Sequence, residues 1–181
     1  MNEARIAARY SRALFSLATD RGLDEEVRSD LAKLIRLRKE SAEFRLLLGT
    51  PVLRSSEKIR MLNKALTGTV SNLTLDFIAL LIGHHRELCL ESVVRMYNHL
   101  LKSSHGILEA RILTAGPVKE ELVEEITGRL AKHAGARIEM SHEIREELIG
   151  GFILQLEDQQ LDASVLAQLK QIRNEWREAQ K

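Results

Sequence analysis

The sequence predicts an α+β protein that is mainly α: an N-terminal bundle of six helices over residues 1–105, then a small α+β domain over residues 106–181. Three observations carry this reading. Apolar residues recur at helical spacing from Glu3 to about His105, and at a near period of two just after Gly106. Aromatic residues make up 4% of the chain, so the core is built from Leu, Ile, Val and Ala, a bias that favours helices. Charge divides at the same place. Residues 1–105 hold 17 Lys/Arg against 12 Asp/Glu, a net +5; residues 106–181 hold 10 against 14, a net −4; the whole chain is +1. Such a split suits two domains that face different partners.

In the first helix, Ile6, Tyr10, Ala13, Leu14 and Leu17 form one stripe, and Gly22 ends it. Asp24 is read as the N-cap of the second helix, whose stripe is Val27, Leu31, Leu34 and Ile35. A short third helix holds Phe44, Leu47 and Leu48 and stops at Gly49 and Pro51. Ser55 or Ser56 starts a fourth, with Ile59, Leu62 and Leu66 inward. The fifth, from about Ser71 to Ile82, is apolar nearly all round: Leu73, Leu75 and then Phe77 through Ile82 leave little polar face. A helix of that kind is buried on several sides, or keeps one side for a partner. The sixth returns to a clean stripe of Leu90, Val93, Val94, Tyr97, Leu100 and Leu101. Short connections between such helices read as a bundle.

The period then changes. Leu108, Ala110, Ile112 and Thr114 alternate with Glu109, Arg111 and Leu113 as a strand. Gly116-Pro117 breaks it and opens a helix whose early carboxylates, Glu120, Glu121, Glu124 and Glu125, suit the positive end of the helix dipole. Ile138 and Met140 mark a second strand, and Phe152, Leu154 and Leu156 a third. Asp158-Gln159-Gln160 is read as a turn, with Leu161 beginning a return strand. Asp162 is read as the cap of a last helix that aligns Val165, Leu166, Leu169 and Ile172. The hinge between the halves is placed at Ser103-Ser104-His105-Gly106.

No apolar run approaches the ~18 residues that span a bilayer, and the N-terminus has no continuous apolar stretch of the secretory type. Any link to a membrane is therefore expected to pass through partners. The lone Cys89 has no internal disulfide partner and is read as an inert core thiol. No Gly-rich phosphate loop is present, and Gly150-Gly151 is read as a turn that brings a strand close against a helix. His84 and His85 are adjacent on a helix, about 100° apart. His99, His105, His133 and His142 lack ligand spacing to one another or to Cys89, so no metal and no cofactor is expected. Asp76, the lone charge in the fifth helix, either faces solvent on a thin polar edge or rims a binding groove where it would pair with a cation. Glu143, Arg145, Glu146 and Glu147 read as solvated surface. No nucleophile–base pair stands out, and no enzyme is expected.

Several phrases in order carry a family resemblance. Ala8-Arg9-Tyr10-Ser11-Arg12-Ala13-Leu14-Phe15 opens it. Asn72 through Leu90 follows, with Phe77, Leu80, Leu81, Arg86 and Leu88. Thr114-Ala115 before Gly116-Pro117, Leu148-Ile149-Gly150-Gly151-Phe152 and Asp162-Ala163-Ser164-Val165 complete it. This set, from Ile6 to about Ile172, resembles the delta subunit family of F-type ATP synthases, homologous to the mitochondrial oligomycin-sensitivity-conferring protein. Two departures stand out. In the last phrase Ala163 replaces a glycine usual in the family and Leu166 stands near where a basic residue is expected, and the Gly-Asp turn before it reads Glu157-Asp158.

The resemblance implies a non-catalytic stator subunit that links the α/β head of a proton-translocating synthase to its membrane-anchored stalk. It implies a position on the cytoplasmic face of a bacterial inner membrane. The N-terminal domain would bind the amphipathic N-terminal helix of an α subunit in a groove between its first and fifth helices, for which Tyr10, Ala13, Leu14, Asp76, Ala79, Leu80 and Gly83 are the candidates; for each, plain bundle core is the competing role. The C-terminal domain would bind the far end of the b subunits, with Ile149, Phe152, Leu154, Val165 and Leu169 as candidates. The alternative is a helical RNA-binding factor of the antitermination type, with Arg5, Arg9 and Arg12 reaching phosphates. Near-neutral charge and the lack of stacking aromatics count against it, so no nucleic-acid partner is expected.

Overall fold

The computed structural model describes residues 3–50, 52–157 and 159–179. The chain divides into two compact units, Met1–Leu101 and Lys102–Lys181.

In the first unit α1 (Glu3–Asp20) buries Ile6, Ala7, Tyr10, Ser11, Leu14 and Ala18. The predicted stripe is thus rotated, because the small Ala7, Ser11 and Ala18 admit a close neighbour, and Ala13 and Leu17 are left exposed. Gly22 ends α1 as expected. With φ at 64° it lets Leu23 N–H reach Ala18 O at 2.8 Å while its own N–H bonds Thr19 O at 3.0 Å, which satisfies carbonyls the helix leaves open. In α2 (Asp24–Glu40) the cap position falls on Leu23. Asp24 is not the cap; with Glu25 and Glu26 it fills the first turn, where carboxylates favour the dipole. The Ser41 hydroxyl caps α3 (Ala42–Gly49) by accepting from Phe44 N–H at 3.0 Å. Pro51 lies outside the described residues. α4 (Ser55–Leu66) begins at Ser55. α5 (Asn72–Gly83) is capped by Ser71, whose hydroxyl accepts from Thr74 N–H at 3.3 Å. A 3-10 turn, Glu87–Cys89, leads into α6 (Leu90–Ser104).

One apolar core joins these helices. Tyr97 sits fully buried within it, with its ring edge-on to Phe15 at 5.7 Å and its hydroxyl donating to Asp24 O at 2.9 Å. Cys89 is buried there too, and burial raises its thiol pKa, as an inert core thiol requires.

Two charged clusters lie inside this unit. Asp30, 2% exposed, accepts from Ser71 N–H at 2.6 Å, from the Thr74 hydroxyl at 3.3 Å and from Lys33 Nζ at 2.9 Å. It thereby ties α2 to the start of α5. Burial pushes its pKa up, but the Ser71 and Lys33 hydrogen bonds and the Lys33 charge outweigh that and hold it below the ordinary carboxylate value. Lys58 and Glu87 form a buried pair at 2.6 Å, and Lys58 Nζ also donates to Leu48 O at 3.0 Å, which joins α3, α4 and the 3-10 turn.

The second unit holds β1 (Ile107–Thr114), α7 (Glu120–Ala134), β2 (Arg137–Ile144), a 3-10 turn (Glu146–Leu148), β3 (Phe152–Leu156), β4 (Gln159–Asp162) and α8 (Val165–Ala179). The sheet order is β2-β1-β3-β4, with β1 parallel to β2 and antiparallel to β3. Ile112 lies opposite Leu154, and Leu154 opposite Leu161. Its small core includes Ala110, Ile112, Leu113, Ile138 and Leu148.

Four boundary readings are corrected. The Gly116-Pro117 break does not open the helix, which starts at Glu120 after Lys119. Gln159 and Gln160 are strand rather than turn, because Leu156 pairs with Gln159 and only two residues join the strands. Glu157, the first of these, adopts φ 50°; Asp158 lies outside the described residues. Asp162 ends β4 and accepts from Ser164 N–H at 3.0 Å, while the Ser164 hydroxyl caps α8 by accepting from Ala167 N–H at 3.1 Å. Ser103 and Ser104, read as hinge, complete α6, and the turn falls on His105 and Gly106.

Gly150 and Gly151 do bring a strand close to a helix. Val165 N–H bonds Gly150 O at 3.0 Å and Ala163 N–H bonds Phe152 O at 2.9 Å. A Cβ on Gly151 would come within 2.3 Å of Ala163 O, and its φ is 74°.

Candidate functional site

α5 explains why its composition is apolar nearly all round. At 100° per residue its buried face is centred on Thr74, Phe77, Ile78 and Leu81. One flank, with Leu75, Ala79 and Ile82, packs against Ile59, Leu62 and Leu66 of α4. On the opposite flank Leu73 and Phe77 give way outward to Asp76 and Leu80. Asp76 is exposed, and Leu80 is 47% exposed although it is fully apolar. Gly83 is exposed at the end of the helix.

The seven candidates of the first unit therefore separate. Tyr10 and Leu14 are core residues, Ala79 turns toward α4, and Ala13, Asp76, Leu80 and Gly83 face solvent. Leu17 joins the exposed set at 40% exposure. Its place in the predicted stripe hid it, and no sequence signal separated the two flanks of that stripe. The Arg9 guanidinium lies 5.5 Å from the Tyr10 ring centre, which puts a cation beside this part of α1.

In the second unit, Val165, Leu169, Ile172 and Trp176 fall within about 60° of one another around α8. Val165 is half-buried against the Gly150-Gly151 turn, while Leu169 and Ile172 are about half exposed and Trp176 is 70% exposed. Leu166, grouped with this face in the sequence reading, lies on its flank. Ile149 is 64% exposed and has φ 66°, an uncommon backbone conformation for a β-branched residue. Phe152 and Leu154 share one face of β3 and are half-buried, so they are sheet residues more than surface ones. Trp176 and Ile172 were legible by their i, i+3, i+7 spacing from Leu169. α7 also has no fully buried residue, and Leu122 on it is exposed.

These surfaces offer apolar contact and a few rim charges. Among the described residues no group of three His, Cys, Asp or Glu side chains is placed to hold a metal ion. His142 Nε2 lies 2.7 Å from the Thr114 hydroxyl, which itself donates to Gly116 O, so His142 serves the end of β1.

The family model described as "ATP synthase delta (OSCP) subunit" matches residues 6–175. The chain belongs to the ATP synthase delta (OSCP) subunit family. It is 33% identical over 175 residues to ATP synthase subunit delta of Beijerinckia indica, covering 96% of this chain and 92% of the relative. It is 34% identical over 173 residues to the subunit delta of Desulfitobacterium hafniense strain Y51, covering 96% and 97%. Among solved structures, a chain of the Toxoplasma gondii mitochondrial ATP synthase hexamer shares the fold, with a TM-score of 0.69 and 23% identity over 94% of this chain and 96% of that one. A chain of the Polytomella F-ATP synthase matches at TM-score 0.52 and 20% identity over 55% of this chain and 88% of that one.

As a delta/OSCP subunit the protein is a component of the peripheral stalk of an F-type ATP synthase, a structural stator part that is not itself catalytic. The antitermination-type alternative is not favoured by these matches. No described helix is long and apolar enough to cross a membrane.

Proposed function

We propose that the protein grips the catalytic head with its first unit and the b stalk with its second. The observation that carries the first grip is Leu80, an exposed leucine on a helix whose other large apolar residues are covered. Together with the exposed Asp76 and Gly83 of α5 and the exposed Ala13 and Leu17 of α1, it would give an amphipathic helix, such as the N-terminal helix of an α subunit, apolar contacts and a charged rim. Tyr10 and Leu14 lie in the core beneath α1, and Ala79 lies on the other flank of α5 toward α4, so these three are outside the contact surface. For the second grip, Ile149, Leu169, Ile172 and Trp176 provide the exposed apolar surface for the C-terminal end of b. Phe152, Leu154 and Val165 support it from the sheet and the helix start.

The rotor turns within the head, and a head without a tether would turn with it. Two attachments on one chain raise the effective concentration of each, so the clamp holds without either contact being extreme. Flexing at His105-Gly106 would let the stalk bend while both grips stay closed; a chain cut there and rejoined non-covalently that couples hydrolysis to pumping normally would remove that role. The similarity to bacterial subunits along nearly the whole chain supports a place on the cytoplasmic face of a bacterial inner membrane, reached through partners.

The test is calorimetric titration of the full-length chain with a peptide copying the N-terminal helix of the cognate α subunit. One-to-one saturable heat is expected. Leu80→Asp should weaken it by about 2 kcal/mol, roughly 30-fold, as loss of a central apolar anchor does, with helicity unchanged. Absence of heat at several temperatures would refute the assignment of the groove and leave the family membership standing.

A further inference from the structure

A cleft of about 180 Å³ lies between α2 and the segment that joins α4 to α5. Leu34, Leu37, Leu66 and Val70 make its floor. Along its rim α2 presents Lys33, Arg36 and Glu40 on one face, at i, i+3 and i+7, and Thr69 faces them from the joining segment.

The rim is built to different degrees. Lys33 Nζ is fixed by the Asp30 carboxylate at 2.9 Å and by Thr69 O at 3.0 Å, which leaves one of its three protons uncommitted. Arg36 and Glu40 stand four residues apart, yet among the described residues neither has an ion-pair partner. Arg36 is therefore an exposed cation without an ion-pair partner at the mouth of an apolar floor, next to an ammonium held in place.

Size limits the occupant. Sites for drug-sized ligands begin at roughly 300 Å³, whereas an apolar cavity of about 150 Å³ accepts benzene. A body of about six carbons suits 180 Å³, and a nucleotide does not. The charge on Glu40 opposes a second negative group, so a monoanion fits better than a dianion.

We propose that this cleft binds a short aliphatic monocarboxylate, with its hydrocarbon on Leu34, Leu37, Leu66 and Val70 and its carboxylate on Arg36 and the free proton of Lys33. The site lies within the first unit and does not rest on the clamp reading.

The experiment is a titration of the full-length protein, methyl-labelled at Leu and Val, with hexanoate, hexan-1-ol and hexylamine, followed by two-dimensional NMR. Hexanoate should shift the methyls of Leu34, Leu37, Leu66 and Val70 saturably. Hexan-1-ol should bind at least tenfold more weakly, and hexylamine should leave the four residues unmoved. From butanoate to hexanoate each added methylene should tighten binding about fourfold, with no further gain beyond the length that fills the cleft. Arg36→Gln should cost at least tenfold with melting unchanged, and Leu37→Trp, which fills the cleft, should abolish the shifts. The proposal is overturned by equal binding of hexanoate and hexan-1-ol, by shifts spread over unrelated methyls, by absence of saturation, or by undiminished binding to Arg36→Gln.

Discussion

Replacing Asp30 with alanine should unfold the helical unit far more readily than any surface change. The carboxylate is 2% exposed and holds three donors: the Ser71 N–H at 2.6 Å, the Thr74 hydroxyl at 3.3 Å and Lys33 Nζ at 2.9 Å. The Thr74 bond is long, but in the 3.0 Å contact with Ser71 Oγ the Thr74 hydroxyl is the acceptor, so loss of Asp30 leaves the proton of a fully buried hydroxyl without its acceptor and adds to the cost. Lys33 is 42% exposed and keeps Thr69 O, so its ion pair is screened and contributes modestly. The Ser71 N–H is the decisive loss. It is the short bond to a charged acceptor, worth about 1.5–3 kcal/mol, and its removal leaves a part-buried donor at the very start of α5. Together with a small cavity this gives about 3 kcal/mol for Asp30→Ala, or a fall of about 1–3 M in the urea midpoint. Asp30→Asn keeps an acceptor for Ser71 but turns a neutral amide toward Lys33, so about half that loss is expected.

The same bonds fix the pH dependence. Because the folded-state pKa of Asp30 is held below its unfolded value of about 3.9, its stabilisation is complete above that value and is lost as pH falls through the folded pKa. Urea melts followed by far-UV circular dichroism at pH 7 and in steps below pH 4 provide the assay. The gap between wild type and Asp30→Asn should be full at pH 7 and close as the acid range is entered. A loss under about 1 kcal/mol for Asp30→Ala, or a gap that stays constant into acid, would refute the claim that an ionised Asp30 holds α2 to α5.

Three further outcomes follow from the geometry. Lys58→Met should cost about 3–5 kcal/mol because Glu87 is left buried without its cation; adding Glu87→Leu should recover most of that in a double-mutant cycle, and an unchanged single variant would sink the idea. Gly151→Ala should destabilise the second unit by about 3 kcal/mol or more, since its Cβ would meet Ala163 O at 2.3 Å and its φ is 74°; wild-type thermal melting would contradict the close strand–helix approach. Glu157→Gly should stabilise the same unit by about 0.5–1 kcal/mol by relieving a positive φ of 50°, less the contacts of its side chain, the exposed 3.4 Å bond from Glu109 N–H among them; a lower urea midpoint would show that these contacts outweigh the backbone strain.

The elements that sequence reasoning found were those whose information is local. The change from helical to strand period near Gly106 placed all eight helices and four strands of the described residues, because periodicity records which face of each element is covered. The errors lie at element ends: at α8 two polar residues compete and Ser164 rather than Asp162 is the cap, while at α2 the cap position falls on Leu23, which has no capping side chain, and Asp24 moves into the first turn. The buried charges were illegible for a different reason. Asp30 and its partner Ser71 are 41 residues apart, and Lys58 and Glu87 are 29 apart, so nothing in either neighbourhood marks them as other than solvated charges.

The candidate site was half legible for the same physical reason. An excess of apolar residues on α5 signals that one side has no partner within its own unit, and Leu80 is that side. Composition gives the existence of such a side and not its direction, since a helical wheel has two flanks beside every buried centre. Which flank stays open depends on where α4 lies, and α4 covers Ala79 rather than Leu80. On α1 the same ambiguity resolved the other way. The small side chains Ala7, Ser11 and Ala18 drew the bundle toward themselves, and Leu17, the larger apolar residue, was left outside. A folding unit that covers alanine and serine while it exposes leucine forgoes burial worth about 1 kcal/mol or more at that position. That cost is offset if Leu17 and Leu80 are covered together by one docked helix, so loss of binding in Leu17→Asp to the same degree as in Leu80→Asp is the sharpest sign that both leucines belong to one grip.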